Sequence, residues 1–281
     1  MTHPRQFHLL RQRRFGPYFV TQLLGAFNDN VYRSAVVVVL AVGVAGLSPQ
    51  QLDLYASAAA ALFILPFLLF SATAGQIADK YEKAALIRRL KLFELGLMVL
   101  AALALMRPSV PGLMALLFLL GTQSALFGPV KYAILPQTLR PAELVGGNAL
   151  VAVVTFLAIL LGAVLGGWLM TQTGGPKWVA ATVLALAALG YAVSLAIPEA
   201  AAAAPRLRLN LNPFTETWRT FQFVRGDRTV MLAVLGISWF WCFGAVFVTQ
   251  LPQYFRLHLG ADGVVMTVML SVSALGMAAG A

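Results

Sequence analysis

The sequence predicts an all-α polytopic membrane protein, and three observations predict it. Of the 281 residues, 60% are hydrophobic and only 11% charged, against about 45–50% and 25% in soluble domains. Several apolar runs are long enough to cross a bilayer, and the mean hydropathy is +0.82. The connections between runs alternate between basic and nearly uncharged. This composition excludes collagen-like, disordered and disulfide-stapled chains. The one cysteine, Cys242, lies in an apolar run and reads as a small buried hydrophobe.

The apolar spans run from about Phe15–Gly46, Leu54–Ile77, Leu86–Met106, Gly112–Val130, Val145–Met170, Trp178–Ile197, Val230–Val248 and Val264–Ala281. The net charge of +10 and pI near 10.3 raise the question of nucleic acid, and the placement of the charges answers it. Arg5, Arg11, Arg13 and Arg14 precede the first span. Lys80, Lys83, Arg88, Arg89 and Lys91 surround the second connection, Lys131 and Arg140 the fourth. Arg206, Arg208, Arg219, Arg225 and Arg228 follow the sixth span. The opposite side holds Arg107, Lys177 and Arg256, and Arg33 falls inside the first span. This positive-inside pattern predicts a cytoplasmic N-terminus and needs no nucleic acid. The first run is too long for a signal peptide, is broken by Asn28, Asp29, Asn30 and Arg33, and reads as an uncleaved helix.

Residues 1–14 form a basic cytoplasmic tail, 15–197 a six-helix unit, 198–228 a cytoplasmic linker and 229–281 the start of a second unit. A long connection after six spans is the layout of a transporter built from two six-helix halves. Within the linker, Thr215–Val224 reads as amphipathic. The chain stops inside an apolar run, so the expectation is a fragment carrying one half and about two helices of the next.

Asn28, Asp29, Asn30 and Arg33 sit near the middle of the first span. A charge there costs about 2.5–3.5 kcal/mol on insertion scales, so such residues are functional by default. Asp29 and Arg33 are four apart with the acid first, the spacing of an intrahelical ion pair; a self-neutralised pair with a purely structural role is the alternative. Gln123, Ser124 and Asn148 are further candidates for lining a cavity. Lys131 follows Gly128-Pro129, residues able to break a helix, and reads either as a site cation or as an interfacial anchor. Arg88, Arg89 and Lys91 are expected at the headgroup surface. Gly162, Gly166 and Gly167 in the fifth span and Gly276 and Gly280 in the eighth have the small-residue spacing of close helix packing, and are expected to meet. Packing of the fifth span within the first half is the alternative.

Between the second and third spans stands Gly75-Gln76-Ile77-Ala78-Asp79-Lys80, then Lys83. This resembles the loop signature of the major facilitator superfamily, in which the glycine lets helix ends approach and the acid pairs with a helix end or a base. Glu82 stands where that family usually has a second glycine, and Asp79 with Glu82 also has capping-box spacing. Three longer stretches are similar to the bacterial lysophospholipid transporter branch of that superfamily. They are Gly25-Ala26-Phe27-Asn28-Asp29-Asn30, then Phe127-Gly128-Pro129-Val130-Lys131-Tyr132-Ala133-Ile134-Leu135-Pro136, then Glu143-Leu144-Val145-Gly146-Gly147-Asn148. Ser238-Trp239-Phe240-Trp241 with Phe243-Gly244-Ala245 resembles members fused to an acyltransferase.

The resemblance implies a major-facilitator-like fold of twelve helices when complete. It also implies movement of lysophospholipid, for example lysophosphatidylethanolamine, from the outer to the inner leaflet of the bacterial inner membrane for reacylation. The expected partners are that substrate, membrane lipids and a fused or separate acyltransferase. Asn28, Asp29, Asn30, Arg33, Gln123, Lys131, Tyr132 and Asn148 are then the transport-site candidates, and Gly75, Asp79, Lys80 and Lys83 the conformational loop. Arg33 and Lys131 suit a phosphate, and Asp29 an ethanolamine ammonium. The other readings are a proton-coupled carrier for another solute and the membrane part of an enzyme. The latter finds little support: the acyltransferase pattern is a histidine with an aspartate five residues on, and His3, His8 and His258 all lack it, His258 having Asp262 at four. No metal cluster or cofactor motif is expected.

Overall fold

The computed structural model describes residues 6–42 and 48–258, together with 272 and 276. Its helices are α1 (Gly16–Val42), α2 (Pro49–Lys80), α3 (Lys83–Met106), α4 (Val110–Ala133), the single turn α5 (Leu135–Thr138), α6 (Leu144–Thr171), α7 (Gly175–Ser194), α8 (Pro213–Arg225) and α9 (Arg228–His258). Short 3-10 turns at Gln6–Arg11 and Pro141–Glu143 lead into α1 and α6. Six of the expected spans and the amphipathic stretch thus appear as helices within a few residues of their predicted bounds, and α9 takes in the seventh. Apart from residues 272 and 276, the eighth span lies outside the described residues, as does Asp262.

Local chemistry sets the helix starts. Ser48 caps α2 in a reciprocal box with Gln51, and Pro49 follows at the first helical position. The Ser109 hydroxyl accepts from the Gly112 N–H at the start of α4, and the Asn212 side chain accepts from Phe214 and Thr215 at the start of α8. Glu82, not Asp79, caps α3, because Asp79 still lies in the last turn of α2. Pro129 is accommodated inside α4, which continues to Ala133 instead of breaking at Gly128-Pro129.

α1 packs on α6 and α7, α2 on α4, and α3 on α4 and α7. Exchanging α1, α2 and α3 with α4, α6 and α7 leaves this pairing unchanged, as expected of an internal three-plus-three repeat. Both members of the first exchanged pair use glycine for contact. A Cβ at Gly162 of α6 would lie 2.6 Å from the Phe27 carbonyl oxygen, and one at Gly166 would collide with the Val31 carbonyl. Likewise a Cβ at Gly121 of α4 would collide with the Phe63 carbonyl of α2. The glycine face of α6 therefore meets α1, the packing within the first half that the spacing also allowed, while the eighth span lies outside the described residues. Small residues permit either partner, and only the packing selects one.

The interior is layered. One apolar cluster gathers Val31–Leu40 positions of α1 with Leu97–Leu105 of α3, Leu113–Leu120 of α4 and Val179–Ala187 of α7. A second gathers Phe15, Tyr18, Ala84, Ile87, Leu90, Val130, Leu135, Val151 and Ile197 near the opposite ends of the same helices. Between them lies a belt of polar side chains at residues 22–30 of α1, 91–94 of α3 and 123–124 of α4. Among the described residues, four helical stretches are long and apolar enough to cross a membrane: Ser57–Lys80, Val110–Thr138, Pro141–Thr171 and Gly175–Ser194. α1 and α3 are comparably long, and the charged and polar residues that they carry include the belt's.

Cys242 is exposed on α9, contrary to the expectation of burial. Trp239, Phe240 and Trp241 around it are exposed too, because α9 meets the six-helix core at few points, one being Trp241 stacked on Phe156.

Candidate functional site: the polar belt between two apolar layers

The belt is organised by a charge pair that sequence reasoning placed elsewhere. Lys91 and Glu94, both 1% exposed, form an ion pair at 2.6 Å on the inner face of α3. Lys91 was expected at the headgroup surface with Arg88 and Arg89. Instead Gly25 of α1 and Gly190 of α7 leave the room its ammonium fills: a Cβ at Gly25 would collide with Nζ, and one at Gly190 would sit 3.7 Å from it. Phe127 lies 5.7 Å from the same ammonium, in cation–π range. Asn28 and Gln123 each donate to Glu94 at 3.3 Å, so one carboxylate ties α1, α3 and α4 together. The available signal was Glu94, the one acid of α3, three residues after the last base of its basic first half.

The predicted Asp29–Arg33 ion pair is not formed. Asp29 Oδ2 accepts from the Ser124 hydroxyl of α4 at 2.6 Å, while Arg33 donates to Asn30 Oδ1 at 2.8 Å and lies over the Phe63 ring at 5.4 Å. Asn30 in turn donates to the Ala26 carbonyl, which fixes the amide that Arg33 uses. The α4 hydroxyl has taken Asp29, and Arg33 divides between Asn30 of its own helix and the Phe63 ring of α2.

Lys131 lies farther along the seam between α1 and α4, the groove of this site, and donates to Thr155 Oγ1 of α6 at 3.0 Å, with Gln22 of α1 donating to the same oxygen at 2.7 Å. Tyr18 donates to the Lys131 carbonyl at 2.7 Å. The pairs Tyr18–Lys131 and Asp29–Ser124 show α1 and α4 running antiparallel. Ser124 and Lys131 are seven residues apart on one face of α4, about 10 Å along its axis. The groove therefore presents Lys131, then Asp29, then Arg33 in succession. Among the described residues neither Arg33 nor Lys131 forms an ion pair, whereas Lys91 is neutralised. Three buried acceptors in the belt also lack a donor there: Gln22 Oε1, Asn28 Oδ1 and Asp29 Oδ1.

Two other candidates stand apart. Tyr132 is half exposed and placed 5.2 Å from the Lys131 ammonium by its ring. Asn148 is exposed and donates to the Leu144 carbonyl of its own helix, so it does not join the cluster.

The loop motif is held by the linker, a role its sequence did not disclose. Glu82 accepts from the backbone N–H groups of Ala84, Ala85 and Ala200, and Lys83 N donates to the Ala200 carbonyl. Ala204 N donates to the Asp79 carbonyl, Lys83 Nζ to the Ala201 carbonyl and Arg88 to the Ile197 carbonyl. Gln76 and Asn210 exchange two hydrogen bonds. Lys80 turns onto the Tyr81 ring. Among the described residues a Cβ at Gly75 would meet open space, so no described helix approaches it closely.

Burial alone would raise the Glu82 pKa, but the three N–H donors and the Arg88 charge outweigh it and hold the carboxyl below the usual range. A depressed carboxylate stabilises the fold at neutral pH, and its contribution fades as pH falls through the folded-state value. Glu82→Ala is expected to cost about 1–2 kcal/mol in thermal unfolding at pH 7, the scale of a lost N-cap. The gap from wild type should shrink as pH falls from about 4, Glu82 protonating first in the unfolded chain and only at lower pH in the folded one. A constant gap across that range would refute this role.

Comparison with known proteins agrees with this architecture. The family model of the Major Facilitator Superfamily matches residues 18–281. The chain is 30% identical over 275 residues to proteins named lysophospholipid transporter LplT, including those of Escherichia coli O139:H28 (strain E24377A / ETEC), Escherichia coli (strain K12 / DH10B) and Shigella boydii serotype 18 (strain CDC 3083-94 / BS512). Each match covers 93% of this chain and 63% of the relative, so the chain spans under two thirds of those proteins. Six long helices paired as a three-plus-three repeat, with a charged belt between apolar layers, are the physical counterpart of that match: the chain belongs to the major facilitator superfamily.

Proposed function

We propose that this chain forms the substrate-handling half of a transporter that moves lysophospholipids across the bacterial cytoplasmic membrane, delivering them to the inner leaflet for reacylation. The observation that carries the reading is the groove's succession of a cation outside any ion pair, a carboxylate and a second cation outside any ion pair at Lys131, Asp29 and Arg33. A zwitterionic phospholipid headgroup carries a phosphate and an ammonium, and these charges match that order. The unpartnered acceptors at Gln22, Asn28 and Asp29 suit the ammonium and hydroxyl donors of such a headgroup. The similarity to proteins named lysophospholipid transporter supports the same substrate class. In this reading the N-terminus and residues 198–228 lie in the cytoplasm, as the charge asymmetry requires.

The test is uptake of labelled lysophosphatidylethanolamine by spheroplasts whose own lysophospholipid transporter has been deleted, with the intact protein supplied from a plasmid. Restored uptake is expected, competed by lysophospholipids and not by glycerophosphoethanolamine, which has the headgroup without the acyl chain. Competition by unrelated drugs or metabolites instead would assign the groove to another solute. Cysteines at Ser48 and Asn212 should label from opposite sides; labelling from one side would overturn the orientation.

A further inference from the structure

The linker carries an exposed aromatic stripe that neither the fold nor the transport groove uses. In α8 the residues Phe214, Trp218, Phe221 and Arg225 recur at i, i+4, i+7 and i+11 and so share one face. All four are exposed, Phe214 to 77%, and Trp218 and Phe221 stack at 5.7 Å. Glu216 projects from the opposite side and is buried, where it accepts from Asn210 at 3.2 Å. Asn210 is the residue that exchanges hydrogen bonds with Gln76 at the end of α2. Glu216 thus turns toward the bundle and the stripe lies on the other side of α8, while Phe223, 83% exposed, shares the Glu216 side.

We propose that this stripe docks α8 onto the headgroup region of the anionic leaflet beside it, as an interfacial helix lying in the membrane plane. Length excludes a spanning role, since 13 residues reach about 20 Å and the hydrocarbon core is about 30 Å thick. Chain placement puts the helix at the membrane edge, because α8 ends at Arg225 and the apolar helix α9 begins at Arg228. Composition selects the surface. Phe and Trp are the residues that settle at the boundary between headgroups and acyl chains, Arg225 on the stripe and Arg228 just after it complement anionic lipid, and Arg219 adds charge from the flank of the helix. Near such a surface each basic residue adds to the attraction, so the docking is sensitive to lipid charge.

The experiment places an environment-sensitive fluorophore at Phe221→Cys in the intact protein, with the one native cysteine removed as Cys242→Ser. The protein is reconstituted in nanodiscs of phosphatidylcholine alone or with phosphatidylglycerol. A nitroxide carried at the lipid headgroup should remove most of the emission and aqueous iodide little of it. Protection from iodide should increase with phosphatidylglycerol. The same label at Thr220→Cys, on the other side of the helix, should show the reverse. Arg219→Glu with Arg225→Glu should abolish the dependence on anionic lipid, and Arg225→Gln alone should weaken it if the double variant fails to assemble. Quenching of the Phe221→Cys label by iodide in both nanodiscs would overturn the proposal. So would protection from both quenchers without response to lipid charge, the signature of a stripe covered by protein.

Discussion

Glu94→Ala is expected to destabilise the helix bundle by about 3–5 kcal/mol, the scale measured when one member of a buried ion pair is removed. The variant leaves the Lys91 ammonium in a pocket closed by Gly25, Gly190 and the Phe127 ring, with no acid in contact. It also strips the Asn28 and Gln123 amides of their shared acceptor. Lys91→Met is expected to be milder, because Glu94 keeps those two amide donors. The double variant Lys91→Met/Glu94→Leu should recover much of the loss, since an apolar pair of similar volume removes the need to bury charge. Thermal unfolding of the detergent-solubilised protein reads all three. A Glu94→Ala variant as stable as wild type would refute the organising role of the pair.

Asp29→Asn is expected to leave the protein inserted and folded while lowering lysophosphatidylethanolamine uptake roughly tenfold or more, the equivalent of losing one hydrogen bond to a charged group, about 1.5–3 kcal/mol. The amide keeps the shape and retains an oxygen for the Ser124 hydroxyl, so the α1–α4 tie persists and only the charge disappears. Arg33→Lys should also reduce uptake. A lysine reproduces neither the planar fork that suits a phosphate nor the stacking over Phe63. Expression and melting temperature, measured in parallel, separate transport from folding. Unchanged uptake by both variants would make the polar centre of α1 structural. A loss confined to expression would lead to the same conclusion.

Asn148 and Lys91 show in opposite directions how position along a sequence misleads. Asn148 lies in a stretch resembling a transporter motif, yet its side chain bonds to its own helix and faces outward. Lys91 sits in a run of bases near a helix start and reads as a surface anchor, yet it is buried against Glu94. A helical residue's height can be counted from sequence, but its direction depends on which neighbours surround it. Gly25, which admits the Lys91 ammonium, and Gly190, which borders it, lie on two other helices, remote in sequence.

The sequence by itself determined the membrane class and nearly every described helix. A bilayer demands long apolar runs with internally satisfied backbones, and caps such as Ser48 and Asn212 are written locally. It also singled out Asp29 and Arg33, because a charge inside an apolar run is costly wherever it faces. Only the tertiary structure decided their partners. Asp29 takes Ser124 and Arg33 takes Asn30 and Phe63, and the two do not pair with each other. The tertiary structure likewise gave the α6 glycines to α1 and strapped the linker across the α2–α3 loop. Such choices are competitions between contacts of similar energy, settled by which helix surfaces lie close together, and that closeness is a property of the whole packed bundle.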